Sequence, residues 1–464
     1  MMRVWTPSVL VLMVLIVRAQ GRGASPETLV ITGGTVVTVD SSRRVLAPGA
    51  VAVAGAEIAA VGNPDEIRRA YPAATILDAT GRIVLPGLIN THTHAPMVMY
   101  RGLADDLALM EWLQKYIFPA EAKTVAPDFV RAGTRLAALE MIRSGTTTYT
   151  DMYYFEEEIA RETRAAGLRG VLGETIIGFP SPDAKTVADG LARTERFITE
   201  FKGDPLITPA VAPHSMYLLD REALLACRDL AVKHRVPLII HLAETRDEVK
   251  TSREKHQATP TVYLESLGFW APVTVAAHGV WVDDDDLDIL AKRRVGVSHN
   301  PESNMKLASG TAPVPKYLAR QVHVGLGTDG AASNNDLDMF EAMRQAAFLH
   351  KLVSGDPRAV PAPVALEMAT IGGARVLGLE SQIGSLEPHK RADLIIVGTQ
   401  TARQTPMYDP VSHLVYVTRG DDVETVIVNG RIVMRDRRVL TLNEADVLAE
   451  ARTVAARVRA AVGK

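Results

Sequence analysis

The sequence predicts an α/β protein: a (β/α)8 TIM barrel flanked by a composite β-sandwich built from both chain ends. Three observations carry that expectation. Eight short β-rich runs alternate with helical stretches through the middle of the chain, the pattern of parallel strands joined by helices. Most of these runs end in a polar or ionisable residue, and such barrels keep their reactive residues at strand C-terminal ends. Short alternating strands with turn signals stand near both termini, without comparable chemistry. A doubly wound open sheet competes, but it does not account for eight repeats whose reactive residues lie at one end.

Of the 464 residues, 47% are hydrophobic and 23% charged, with a formal net charge of -3. A chain of this length buries a large core, and one barrel absorbs roughly 250 residues or more. The charge balance offers no nucleic-acid surface and no acidic tail, so the expected partner is a small molecule. A homo-oligomer is compatible with the sequence. No Walker-type phosphate loop occurs, which leaves nucleotide-cofactor chemistry unsupported. Cys227 is the only cysteine, so no intrachain disulfide forms and cysteine usage does not decide the compartment.

Residues 1–24 read as a signal peptide and leader. Arg3 precedes an apolar run, Val9 to Val17, and Val17-Arg18-Ala19 offers small side chains where a signal peptidase needs them. The run falls short of the about 20 residues a spanning helix requires, so no stable membrane anchor is expected. On this reading the protein is periplasmic or secreted; with a later translation start it is cytoplasmic. Residues 25–84 hold the first part of the sandwich, in TLVITGG, TVVTVD, GAVAVAG and EIAAVG. The barrel takes residues 85–385. Its strands are Leu85 to His94, Gly145 to Met152, Leu168 to Ile177, Leu206 to His214, Val236 to Glu244, Val273 to His278, Val295 to Asn300 and Val322 to Asp329. The sandwich returns over residues 386–438, in ADLIIVG and VETVIVNGRIV. Residues 439–464 close the chain with a helix, Ala445 to Val462 being rich in Ala, Arg and Val at helical spacing.

The first barrel run, LPGLINTHTH, reads as one buried strand that delivers His92 and His94 to its end, on one side because they are two apart. With twelve histidines in the chain, His-x-His arises by chance roughly 0.3 times, so its place at a strand end carries the signal. The fifth strand adds His241, with Glu244 three residues on; the sixth adds His278 and the eighth Asp329. Three imidazoles and one carboxylate suit a single divalent ion, Zn2+ or Fe2+, with a position left for water. Such an ion lowers the pKa of water from 15.7 to about 7. Glu244 and His278 have no natural place among the ligands. A hydrolase that expels an amine must protonate it, and a carboxylic acid at Glu244 is a suitable shuttle. His278 could polarise the attacked centre or orient hydroxide, while Asp329 could both ligate and take a proton. For each residue singly, a hydrogen-bonded interior polar group stays open as an account. Jointly it fails, because all these placements would have to coincide at strand ends.

Together LPGLINTHTH, IIHLAE, AAHGV, SHNPESNMKL and GTDGAASNN resemble the amidohydrolase superfamily. The likeness is to its branch of methylthioadenosine/S-adenosylhomocysteine deaminases and triazine chlorohydrolases, over roughly Thr28 to Arg435. The resemblance implies a mononuclear metal site held by His92, His94, His241 and Asp329, with Glu244 and His278 catalytic. Binuclear members carry a lysine at the end of the fourth strand; here that strand ends at His214. Trp112 and Glu121, in EWLQKYIFPAEA, look like the aromatic wall and ribose-hydroxyl acceptor of adenosine-type deaminases, and His214 like the residue that hydrogen-bonds the purine. On their own, Trp112 reads as a buried helix-face aromatic and Glu121 as a helix-surface carboxylate. Glu174 stands near the position where S-adenosylhomocysteine deaminases place an arginine to clamp the amino-acid carboxylate of the substrate. The expectation is a substrate contact that repels that anionic tail. The other account is that Glu174 caps the next helix or pairs with an arginine such as Arg101.

The activity this implies is removal of ammonia from an aminated N-heterocycle, above all an adenine nucleoside such as methylthioadenosine or adenosine. Hydrolysis of another C–N or C–Cl bond, in a triazine or a guanine- or pterin-type substrate, is the alternative. Cytidine-deaminase chemistry is disfavoured, since its Pro-Cys-x-x-Cys signature needs two cysteines. A non-catalytic scaffold has no need of a complete metal shell.

Overall fold

The computed structural model describes residues 28–463, and the leader read over residues 1–24 lies outside them. Eight parallel strands run in sequence order: β1 Leu88–Thr93, β2 Thr146–Tyr153, β3 Arg169–Ile176, β4 Ile207–Pro213, β5 Leu238–Leu242, β6 Thr274–His278, β7 Gly296–His299 and β8 Val324–Leu326. Each falls on one of the eight runs read from the sequence. Every residue of β1, β2 and β3 is buried, since one face lines the barrel and the other meets helices. Side chains and backbone bridge β8 and β1: Thr91 Oγ1 donates to Leu326 O at 2.9 Å and the Asp329 N–H to His92 O at 3.0 Å.

Two further sheets pack beside the barrel. One has four strands, in the order Glu57–Gly62, Ala50–Ala54, Thr28–Thr32 and Thr75–Asp78. The other has seven: Arg438–Val439, Arg431–Arg435, Val423–Val428, Leu394–Gly398, Arg82–Pro86, Thr35–Val37 and Val45–Leu46. Only the seven-stranded sheet mixes the two chain ends. Its alternation sorts side chains between two cores. Val84, Leu394, Ile396 and Ile427 meet Ile31, Val51 and Val53 of the smaller sheet. Their neighbours Ile83, Leu85, Ile395, Val397 and Val426 belong to the barrel core.

The run LPGLINTHTH is two strands rather than one. Leu85 and Pro86 end the sandwich strand Arg82–Pro86, and β1 starts at Leu88. Gly87 makes the switch. A Cβ there would lie 2.1 Å from Thr147 Oγ1, and the Gly87 N–H donates to Asp393 O at 3.0 Å. Both strands are buried on two faces, so hydropathy does not mark the break. The closing helix, Glu444–Val462, buries Val447, Ala451, Val454 and Val458. No described helix is long and apolar enough to cross a membrane.

Candidate metal centre and its cavity

His92 on β1 and His94, just past its end, share a side by the two-residue alternation of strands. His241 from β5, His278 from β6 and Asp329 beyond β8 converge on them. Asp329 Oδ1 lies 3.4 Å from Nε2 of both His92 and His94, and His241 Nε2 lies 3.3 Å from His94 Nε2. The donor atoms of His92, His94 and His241 sit within 4.8 Å of one another, as do those of His92, His278 and Asp329.

His92 tests whether this cluster suits an ion. Its side chain is fully buried, and neither ring nitrogen has a hydrogen-bond partner among the described residues. An unsatisfied buried polar group costs roughly 1–3 kcal/mol. Burial also pushes the imidazole down to about 4, so it stays neutral with a lone pair to offer. A neutral imidazole beside two more and a carboxylate is a donor set for a divalent metal ion, and the residues present fit one.

Neighbouring groups aim these ligands. At the end of β2, Asp151 Oδ1 accepts from Thr93 Oγ1 at 2.6 Å and from the Ala95 N–H at 2.5 Å, while the Met152 carbonyl takes His94 Nδ1 at 2.6 Å. With Nδ1 engaged, His94 presents Nε2. His241 Nδ1 likewise meets the His214 carbonyl at 2.9 Å. Asp329 holds a left-handed φ of 64°, a conformation that costs a non-glycine residue about 1–3 kcal/mol. Ser303 Oγ at 2.7 Å and Ser333 Oγ at 3.1 Å donate to its Oδ2 and pin it there. Glu244 is set by the helix that follows. Thr245 caps Arg246–His256, and Glu248 inside it accepts from the N–H groups of Ala243 at 2.9 Å and Glu244 at 2.8 Å. The Glu244 carboxylate then stands 3.7 Å from His278 Nε2. Burial pushes the Glu244 carboxyl up. Burial acts downward on His278, but the Glu244, Asp329 and Glu248 carboxylates and the Asn304 side chain together leave the imidazole raised.

The cage opens into a cavity. Trp112, Glu121 and His214 line it together with Glu244. Trp112 ends the helical turn Leu109–Trp112, which passes through a π turn, Leu113–Ile117, into the helix Phe118–Thr124. Pro119 lacks the N–H that the Lys115 carbonyl would receive in a regular helix, which favours the wider turn. Glu121 is 5% exposed rather than a surface carboxylate; it accepts from the Tyr153 hydroxyl at 2.7 Å, and burial pushes its carboxyl up to about 7. His214, pushed down to about 3 by burial, faces the cavity while its carbonyl holds His241.

Glu174 does not meet the cavity, against the expectation of a substrate contact. It is fully buried, its Oε2 accepts the Glu156 N–H at 2.9 Å, and its Oε1 pairs with Arg193 Nε at 3.0 Å. Alternation along β3 is the reason. Thr175 lines the cavity, so Glu174 and Ile176 turn to the helix layer, where Ile176 packs at Gly190. The arginine partner is Arg193; Arg101 pairs with Glu140.

Beside the groups that aim the cage, three residues that touch Glu121, His278 and Glu244 escaped the sequence reading. Tyr153 stands one position beyond the run that ends at Met152. Asn304 Oδ1 lies 2.9 Å from His278 Nδ1, inside SHNPESNMKL but with no role assigned to it there. Ser309 Oγ donates to Glu244 Oε1 at 3.4 Å, and no local signal marks it.

Residues 83–433 match the sequence profile described as the amidohydrolase family. Over 437 residues the chain is 50% identical to the 5-methylthioadenosine/S-adenosylhomocysteine deaminase of Syntrophobacter fumaroxidans, covering 94% of this chain and 100% of that protein. Over 429 residues it is 44% identical to the 5′-deoxyadenosine deaminase of Methanosarcina acetivorans, covering 92% and 97%. Its fold matches a solved adenosine deaminase from Xanthomonas campestris with bound zinc at a TM-score of 0.92 and 37% identity, over 94% of this chain and 99% of that one.

Proposed function

This chain belongs to the amidohydrolase family, and from that premise we propose that it removes ammonia from the adenine ring of a nucleoside, with one Zn2+ ion in the cage. It is a hydrolase of carbon–nitrogen bonds that uses a divalent metal. The observation that carries the finer reading is one cavity in which the ligand cage, Glu244, His214, Trp112 and Glu121 meet. Relatives named for adenine nucleosides support the substrate class, and the zinc in the Xanthomonas structure supports the metal.

His92, His94, His241 and Asp329 would hold the ion. When bound, it supplies the Lewis acidity that makes water a nucleophile near neutral pH. The chain does the rest. Trp112 gives the substrate an apolar wall, Glu121 accepts from ribose hydroxyls, and His214, kept neutral by burial, hydrogen-bonds the purine. Glu244, whose carboxyl burial pushes up, delivers a proton to a ring nitrogen as the amine-bearing carbon is attacked. His278, 3.7 Å from that carboxylate, orients the attacking water. A C–O bond forms and the C–N bond breaks; of the two protons water brings, one leaves with the amine as ammonia and the other restores Glu244.

The test is ammonia release by protein of measured metal content. Adenosine, 5′-deoxyadenosine and 5′-methylthioadenosine are assayed beside guanine, a pterin and a chlorotriazine, with chloride monitored. Turnover of the last three with no adenine nucleoside consumed overturns the reading.

A further inference from the structure

Glu121 on the helix Phe118–Thr124 and Tyr153 at the end of β2 both line the cavity. The Tyr153 hydroxyl donates to Glu121 Oε1 at 2.7 Å, the only hydrogen bond to this carboxylate among the described residues. No described cation pairs with it. Its other titratable neighbours are Tyr100 and Tyr154, both of which its charge pushes further from ionising, and the Tyr100 hydroxyl is engaged with Thr124 Oγ1 at 2.7 Å. A carboxylate offers about four acceptor sites. One is used, and the cavity is where the others can be filled.

We propose that Tyr153 is a positioning residue for ribose recognition: by holding Glu121 Oε1 it presents Oε2 to the 2′ and 3′ hydroxyls of the nucleoside. This rests on the adenine-nucleoside reading above. A neutral donor suits the task, because it orients the carboxylate without cancelling the charge that the two hydroxyls then meet. The same strand end clamps β1, through Asp151 to Thr93 and Ala95 and through Met152 to His94. Three successive residues thus set the distance between the metal cage and the ribose acceptor.

A pH dependence follows. Burial raises the Glu121 carboxyl to about 7, with the Tyr153 hydroxyl acting against it. Two hydroxyl donors need the ionised form, so the KM for a riboside rises as pH falls through this range. Removing the Tyr153 hydroxyl moves the carboxyl higher still and carries the acidic limb with it.

The experiment measures KM and kcat of zinc-loaded wild type, Tyr153→Phe and Glu121→Gln across neutral pH. Adenosine is compared with 2′,3′-dideoxyadenosine, which lacks both hydroxyls. Tyr153→Phe should raise the adenosine KM about tenfold at neutral pH, shift the acidic limb upward, and leave kcat and the dideoxyadenosine KM nearly unchanged. Glu121→Gln keeps an acceptor for Tyr153 but cannot ionise, so its limb should vanish. An unmoved limb in Tyr153→Phe, or equal KM increases for both nucleosides, overturns the proposal. If Tyr153→Phe does not fold, a limb that persists in Glu121→Gln does so. Should the wild type deaminate neither nucleoside, the function reading itself fails and takes this inference with it.

Discussion

The Glu244 carboxylate and the His278 imidazole face one another at 3.7 Å, both buried and both lining the cavity. Neither is needed to complete a cage of three imidazoles and Asp329. Glu244→Gln keeps the side chain's size and its contact with Ser309, so bound metal should stay at the wild-type level. Turnover should fall by about 10²–10⁴-fold, the loss expected of a missing proton donor. Elemental analysis and kcat on one preparation decide the matter, and near-normal kcat removes Glu244 from the proton path.

His92→Ala and Asp329→Ala should each lose metal and activity together, since a ligand contributes to both. Ser303→Ala is a finer probe. It removes the 2.7 Å donor to Asp329 Oδ2 and should weaken metal affinity by about 10–100-fold. Competition against a chelator measures this, and unchanged affinity would deny Ser303 that role.

Among the described residues lining the cavity there is no lysine or arginine, and Glu121 adds a carboxylate. The charged amino-acid tail of S-adenosylhomocysteine would enter without a partner. Adenosine, 5′-deoxyadenosine and 5′-methylthioadenosine should therefore have the higher kcat/KM. Because Glu174 faces away from the cavity, Glu174→Arg should leave that gap in place. Equal kcat/KM for charged and neutral 5′ groups in the wild type refutes the argument.

Arg193 is shared by Glu157, by Glu174 at 3.0 Å and by Asp183 at 3.4 Å, and the last two side chains are fully buried. Arg193→Met strands both carboxylates without a counter-charge and should cost about 3–5 kcal/mol. Removing Lys115, whose pair with Glu111 lies at the surface, should leave stability nearly unchanged. Urea denaturation compares the two; similar midpoints would mean that the buried cluster does not rely on Arg193.

Arg3 ahead of the apolar run Val9 to Val17 gives an expectation for the cell as well. The mature protein should begin near Gln20 and lie outside the cytoplasm. N-terminal sequencing after fractionation checks it, and an intact Met1 on cytoplasmic protein contradicts it.

The eight barrel strands are legible in the sequence because strands buried on both faces leave compact β-rich runs. The cage is legible because His92, His94, His241 and Asp329 sit where those runs stop. Once both faces are buried, the sequence no longer tells which one a residue takes. Glu174 and Thr175 are neighbours, and register alone sends one to Arg193 and the other to the cavity. The break at Gly87 is hidden in the same way, since sandwich strand and barrel strand are equally apolar. Tyr153 and Glu121 meet only when the barrel closes beneath the Leu109–Thr124 segment, a contact between elements that no local pattern announces.

In the seven-stranded sheet, Arg82–Pro86 pairs Val84 with Val36 on one side and with Ile396 on the other. A ribosome delivers these segments in order, so one edge of that strand waits unpaired while about three hundred residues follow. His92, His241 and Asp329 all emerge during that wait. All four residues of the cage thus precede, along the chain, the strand that gives Arg82–Pro86 its second neighbour. Until Leu394–Gly398 arrives, that bare edge is the place where one unfinished chain would stick to another.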